Sequence, residues 1–201
     1  VGKLILTAFI ATLIFVCITY LPIIKLIGMK ISDYLKGAFE PWLIAFTTCS
    51  SAAALAVNLE ASRKMGASKA IASFAIPLGN TINMNGTSIY MGVTAVFAAE
   101  VFGIDLTLAQ QFQIVLMGVL AAVGTAGVPG AGLIMTTLVF TEVGIPLEAV
   151  ALIAGIDRIL DMIRTSVNVL GDSLTALVVS KSEGVLGTEL MDQDTVVKEQ
   201  L

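Results

Sequence analysis

The sequence predicts an all-α integral membrane fold built from inverted repeats, each a re-entrant helical hairpin followed by a transmembrane helix. Three observations predict it. First, 57% of the 201 residues are hydrophobic and only 13% are charged, against about 25% charged in an ordinary soluble domain. Second, the charges punctuate long neutral stretches, residues 4–24, 41–59, 70–99 and 106–141. Third, the loop charges alternate in sign in a way that four simple crossings cannot satisfy.

Residues 4–24 are long enough for one crossing, which takes about 20 residues. Lys3 precedes them as in a signal peptide, but the run is too long for an h-region and has no small-residue exit site. Residues 41–59 are marginal for a span and have a small, polar centre, Thr47-Thr48-Cys49-Ser50-Ser51. Lys25, Lys30 and Lys36 precede this stretch, and Arg63, Lys64 and Lys69 follow it. Both loops therefore read as cytoplasmic, and residues 41–59 must enter and return. Residues 70–99 then cross outward, with Pro77 and Gly79 helping to unwind the helix. Residues 106–141 are too long for one crossing. They are interrupted by Gly124-Thr125-Ala126-Gly127-Val128-Pro129-Gly130-Ala131-Gly132, a run that cannot continue a helix. Glu100 and Asp105 stand before them and Glu142 and Glu148 after, so this segment is a second hairpin, entering from outside. Residues 149–179 cross inward, and 183–201 form a polar cytoplasmic tail. Residues 1–182 thus make one membrane domain. The chain begins at Val1 and reads as part of a longer protein.

The chemistry concentrates in four places. Asp157, Asp161, Arg164, Thr165, Asn168 and Asp172 fall within a stripe about 100° wide on the last helix. Three carboxylates and a guanidinium cannot face lipid, so the stripe must line protein or a water-filled site. Asp161 can hold an ammonium group and Arg164 can take a carboxylate bidentately, which suits a zwitterion with an acidic side chain. The alternative is a structural i,i+3 pair, an expensive device inside a membrane. Gly79-Asn80-Thr81-Ile82-Asn83-Met84-Asn85-Gly86-Thr87 offers freed carbonyls and neutral side-chain oxygens for a hard monovalent cation, or else forms a water-lined kink. Backbone groups of the 124–132 tip can grip an anion or a cation and suit a gate. Ser50-Ser51 would present helix N-terminal amides to an anion, or serve as turn residues.

Other classes are excluded by the residues themselves. Histidine is absent, which removes the commonest general base and metal ligand. The two cysteines have neither metal-site spacing nor disulfide-framework density. No basic patch interleaved with aromatics suggests nucleic acid. An intramembrane aspartyl protease needs two carboxylates sharing a proton at about 3 Å, which Asp157, Asp161 and Asp172 on one helix cannot achieve. The chain reads as neither an enzyme nor the holder of an organic cofactor.

These motifs together resemble the glutamate transporter homologues, the dicarboxylate/amino acid:cation symporter family. Asn83-Met84-Asn85-Gly86-Thr87 resembles that family's NMDGT motif, 124–132 its second hairpin tip, and Asp161-Met162-Ile163-Arg164-Thr165 through Asn168, Gly171 and Asp172 its last helix. Ser50-Ser51 stands where the family has a serine-rich first tip. The resemblance implies sodium-coupled symport of aspartate or glutamate by an elevator-type transport domain. That domain would move against a trimeric scaffold in the cell membrane, with the hairpins as gates. It implies that Asp161 binds the substrate ammonium, Arg164 the side-chain carboxylate, and Ser51, Val128 and Gly132 the main-chain carboxylate through backbone groups. Thr87, Thr165 and Asn168 would complete the polar contacts. One sodium would use Gly79, Asn83, Asn168 and Asp172, and a second Thr81 with Ala122, Val123 and Thr125.

Three departures follow from the same comparison. Asn85 replaces the motif aspartate that supports a further sodium site, which weakens that ligand set. Met162 and Cys49 stand where different branches of the family carry an arginine that tunes release. The family's first five helices, including the scaffold, are missing. Members for neutral amino acids lack arginine at the place of Arg164, and C4-dicarboxylate members lack the carboxylate at the place of Asp161. This chain has both. A proton-coupled or C4-dicarboxylate symporter of the same family, or an inactive truncated paralogue, is the alternative.

Overall fold

The computed structural model describes residues 2–189, and every regular element among them is helical. The first is a continuous run, Gly2–Leu26, apolar and long enough to cross a bilayer. It comprises α1 (Gly2–Phe15), a π turn (Val16–Tyr20) and α2 (Leu21–Leu26). Next come α3 (Ile31–Thr48) and α4 (Ser51–Lys64), packed together as a hairpin, then α5 (Lys69–Ile82) and α6 (Asn85–Val101). The pattern recurs with α7 (Leu108–Val123) and α8 (Ala131–Val143) as a second hairpin, followed by α9 (Glu148–Ala154) and α10 (Asp157–Ser182).

Several sequence-derived boundaries need correction. The first hairpin is not confined to 41–59: its helices run on through Asp33, Lys36 and Glu40 at one end and Glu60, Arg63 and Lys64 at the other. Charge ends a lipid-compatible stretch without ending a helix, because Lys, Glu and Arg are good helix formers. Glu60 and Lys64 pair across one turn at 2.7 Å on the surface. The break in 70–99 is not at Pro77 and Gly79, which both stay inside α5, but at Asn83-Met84. Proline removes one donor, and the rest of the turn survives in packed surroundings. The segment 149–179 is not one helix either. It is interrupted at Gly155-Ile156, and its second part ends at Ser182. Both halves of the chain therefore read hairpin then broken helix. The tail begins folded: the Gly187 amide donates to the Gly66 carbonyl at 2.8 Å, and the Glu189 carboxylate accepts from the Lys69 amide at 2.9 Å. Residues 190–201 lie outside the described part.

Two apolar cores flank a polar middle. One gathers Leu4, Met91, Ile114, Phe140, Ile153 and Leu160. The other gathers Tyr20, Ile24, Tyr34, Ile76, Leu174 and Leu177. Helix α10 contributes to both, so its central stretch, Asp161 to Asp172, lies between them. Fully buried alanines at 45, 54, 72, 95, 98, 149 and 176 let helix backbones approach closely, the packing mode expected where lipid removes the hydrophobic incentive. Large apolar side chains such as Phe9, Ile18, Phe74 and Phe112 point outward, a surface suited to lipid or to further helices.

Candidate functional site

Two hairpin tips and the broken α5–α6 helix converge on the polar stretch of α10. At the first tip, Cys49 holds a left-handed conformation (φ 55°) and ends α3. This is an uncommon conformation for a residue with a Cβ. Ser50 caps α4, its hydroxyl accepting from the Ala53 amide at 3.1 Å. The same hydroxyl donates to the Gly127 carbonyl of the second tip at 2.9 Å, and the Ala52 amide donates to that carbonyl at 3.1 Å. The two tips are therefore latched to one another. Arg158 pins the first tip to α10, donating to the Thr47 carbonyl at 2.8 Å.

The charged groups satisfy one another. Arg164 donates from Nε to Asp161 Oδ1 at 3.0 Å and pairs through Nη2 with Asp161 Oδ2 at 3.0 Å; its Nη1 lies 3.4 Å from Asp157 Oδ1. Its guanidinium stacks 4.3 Å above the Tyr90 ring, whose hydroxyl donates to Asp157 at 2.8 Å. Asp161 also accepts from the Thr165 hydroxyl at 2.7 Å and from the Gly130 amide of the second tip at 2.9 Å. Two glycines make this possible by having no side chain. A Cβ at Gly132 would overlap the Arg164 guanidinium, and one at Gly86 would run into the Arg164 carbonyl. Asn168 accepts from the Gly86 amide at 2.8 Å and donates to Thr87 Oγ1 at 3.0 Å, fastening α6 to α10 beside the charges.

Ser51, Thr87, Val128, Gly132, Asp161, Arg164, Thr165 and Asn168, the eight residues singled out for a small zwitterion, line one small cavity with Thr125. It holds about 10 Å³, room for roughly one water molecule. An amino acid can enter only if a wall moves. The first cation set is gathered in part. The Asn83 amide donates to Asp172 Oδ1 at 3.0 Å, and Gly79 lies against that carboxylate, where a Cβ would collide. The Asn168 side-chain oxygen accepts from the Gly86 amide at 2.8 Å, and the Gly79 carbonyl accepts from the Asn83 backbone amide at 2.8 Å. Among the described residues no hydrogen bond joins Thr81 to the rest of the second set. The Thr81 hydroxyl donates to Leu78, the Thr125 hydroxyl to Ala121, and the Ala122 carbonyl accepts from the Thr125 amide; Val123 is half exposed. Asn85 donates to Asn83 Oδ1 at 2.6 Å and to the Tyr20 hydroxyl at 3.2 Å.

Sequence reasoning missed three tyrosines. Tyr20 joins the π turn to Asn85 and to the Val167 carbonyl. Tyr34 bonds the Leu170 carbonyl at 2.6 Å. Tyr90 grips Arg164 and Asp157. Only Tyr90 carried a signal, three residues after Thr87 and so on the same helical face.

A sequence profile described as the sodium:dicarboxylate symporter family matches residues 1–182. The chain is 38% identical over 188 residues to a proton/sodium-glutamate symport protein of Geobacillus stearothermophilus, covering 94% of this chain and 45% of that one. It is 36% identical over 182 residues to the proton/glutamate-aspartate symporter of Escherichia coli, covering 90% and 42%. It is 37% identical over 184 residues to a C4-dicarboxylate transport protein of Bacillus subtilis, covering 90% and 44%. The chain thus spans less than half the length of these relatives.

Proposed function

Because the chain belongs to the sodium:dicarboxylate symporter family, we propose that it is the substrate-carrying part of a sodium-coupled symporter for an acidic amino acid, aspartate or glutamate. The observation that carries this reading is the meeting of Asp161 and Arg164 in one cavity walled by both hairpin tips. A C4-dicarboxylate has no ammonium group to occupy Asp161, and a neutral amino acid has no carboxylate for Arg164.

The geometry supports an exchange of partners. The substrate ammonium takes the Asp161 oxygens that Arg164 and the Gly130 amide hold when the site is empty. The released guanidinium, still stacked on Tyr90, turns to the side-chain carboxylate. The main-chain carboxylate takes backbone groups of Ser51, Val128 and Gly132, with Asn168, Thr165 and Thr87 completing the polar contacts. Each protein–protein bond broken is replaced by one to substrate, so the second tip lifts to admit the ligand and settles back over it.

Charge explains the coupling. Counted as ionised, Asp157, Asp161 and Asp172 with Arg164 sum to −2, and an acidic amino acid adds −1. Burying a net −3 is prohibitive, so cations must travel with the substrate. Asp172 with Asn83, Asn168 and Gly79 forms one such position, and Thr81 with Ala122, Val123 and Thr125 a second. Asn85, being neutral, withholds a further countercharge. We read the hairpins as re-entrant and inverted in the membrane. The chain is then the moving body of an elevator whose complete form is a homotrimer, multi-pass in the cell membrane. Titration calorimetry of L-aspartate into the complete transporter, at near-zero and at high sodium, tests the proposal. Affinity rising steeply with sodium is expected, and by linkage aspartate must tighten sodium by the same factor. Sodium-independent binding overturns the coupling, and absence of binding overturns the substrate.

A further inference from the structure

The junction where the second tip rests on the rest of the molecule holds two oxygens that have no hydrogen-bond partner among the described residues. Asn80, in the last turn of α5, has a buried Oδ1 without a hydrogen-bond partner, and so does Ser51 at its hydroxyl. Ser51 is 2% exposed. Both oxygens face Gly127. A Cβ there would overlap the Ser51 hydroxyl and stand 3.1 Å and 3.2 Å from the two polar atoms of the Asn80 amide. The φ of Gly127 is not positive, so space and not conformation demands the glycine. Its carbonyl is well held by Ser50 and Ala52, whereas the space a Cβ would take is filled by the Ser51 hydroxyl and the Asn80 amide.

A buried acceptor without a donor is costly, and the cost vanishes once water reaches it. Lifting the tip uncovers both oxygens. Asn80 does not line the cavity around Asp161 and Arg164, so this penalty falls on closure of the tip and not on contact with substrate. We propose that Asn80 is a positioning residue of the second-hairpin gate, whose unsatisfied amide oxygen biases the tip toward opening. The inference rests on the reading of that tip as a gate. In a transporter, such a bias limits how long a ligand stays trapped, because the closed state is reached without being deep.

The test uses the complete transporter with Cys17→Ser and Cys49→Ala, and nitroxide labels on Phe74→Cys in α5 and Ile134→Cys in α8, both exposed in this segment. Pulsed electron resonance then measures the label distance without sodium or substrate. Asn80→Ala removes the oxygen and keeps the helix; the closed-to-open ratio should rise about tenfold, and aspartate association and dissociation should both slow, because ligand enters and leaves only through the open tip. Asn80→Asp, a harder group to bury, should shift the ratio the other way. Unchanged populations in both variants, or opening on Asn80→Ala, overturn the inference. Failure of L-aspartate plus sodium to close the parent protein would instead sink the transport reading, and the ligand-free populations would still decide the role of Asn80.

Discussion

Replacing Arg164 by Met keeps the bulk of the side chain and removes its charge. In the empty site the guanidinium makes two contacts of 3.0 Å with Asp161, one of 3.4 Å with Asp157 and a stack on Tyr90. Truncating one partner of a buried, hydrogen-bonded charge pair costs about 2–5 kcal/mol. Substrate binding does not gain all of that, because the guanidinium must first leave Asp161. About 2–4 kcal/mol is then lost from the affinity for an acidic amino acid, a rise in Kd of roughly 30- to 1,000-fold. A neutral amino acid, which never used the guanidinium, should lose far less, and Asp161, freed of its internal partner, should meet an ammonium more readily. Calorimetry at fixed high sodium, with L-aspartate and L-serine side by side, reads both effects. If Arg164→Met left aspartate affinity within about threefold of the parent while the protein still responded to sodium, the assignment of Arg164 to the side-chain carboxylate would be refuted.

Three further outcomes are expected. Asn85→Asp places a carboxylate between Tyr20 and Asn83, and the slope of log Kd for aspartate against log sodium concentration should steepen by about one if an added cation follows that charge. Gly86→Ala drives a methyl group into the Arg164 carbonyl; overpacking of this kind costs about 1–3 kcal/mol, readable as a lower melting temperature in detergent. Ser50→Ala removes the cap of α4 and one of the two bonds that hold Gly127; a cap is worth about 1 kcal/mol, and faster aspartate association and dissociation should report the loosened latch.

What could be foreseen in the sequence depended on how local its cause was. The stripe on α10 was visible because helical spacing alone brings Asp161, Arg164, Thr165 and Asn168 to one face. The tip at 124–132 was visible because its glycines and proline exclude a helix. Boundaries drawn from charge were less secure, since Asp33, Lys36 and Glu60 are as comfortable in a helix as beyond it. The break at Asn83-Met84 was displaced from Pro77 because packing around α5 overrides the weakness of a single proline. Tyr20, Asn80 and the internal pairing of Arg164 with Asp157 were out of reach. Each depends on contact between segments about 30 to 150 positions apart, or on which of two carboxylates a flexible guanidinium selects. No local pattern encodes those choices.

The π turn in the first helix has a geometric effect of its own. An i→i+5 turn accommodates one residue more than an α turn, which sets everything beyond it back by about 100° around the axis. Counted straight, Leu4 and Tyr20 would lie about 160° apart; with the extra residue they lie about 60° apart. That offset lets Leu4 and Ala8 enter one core while Tyr20 and Ile24 enter the other. The rod is clocked like a camshaft, and its phase is stored in a single surplus residue between Val16 and Tyr20. Straightening the turn into a regular helix at unchanged length would swing Tyr20 about 100° away from Asn85, whereas deleting one of residues 16–19 would leave its phase as it is. The π geometry of this turn is what holds the first helix in phase with the network around Asp172.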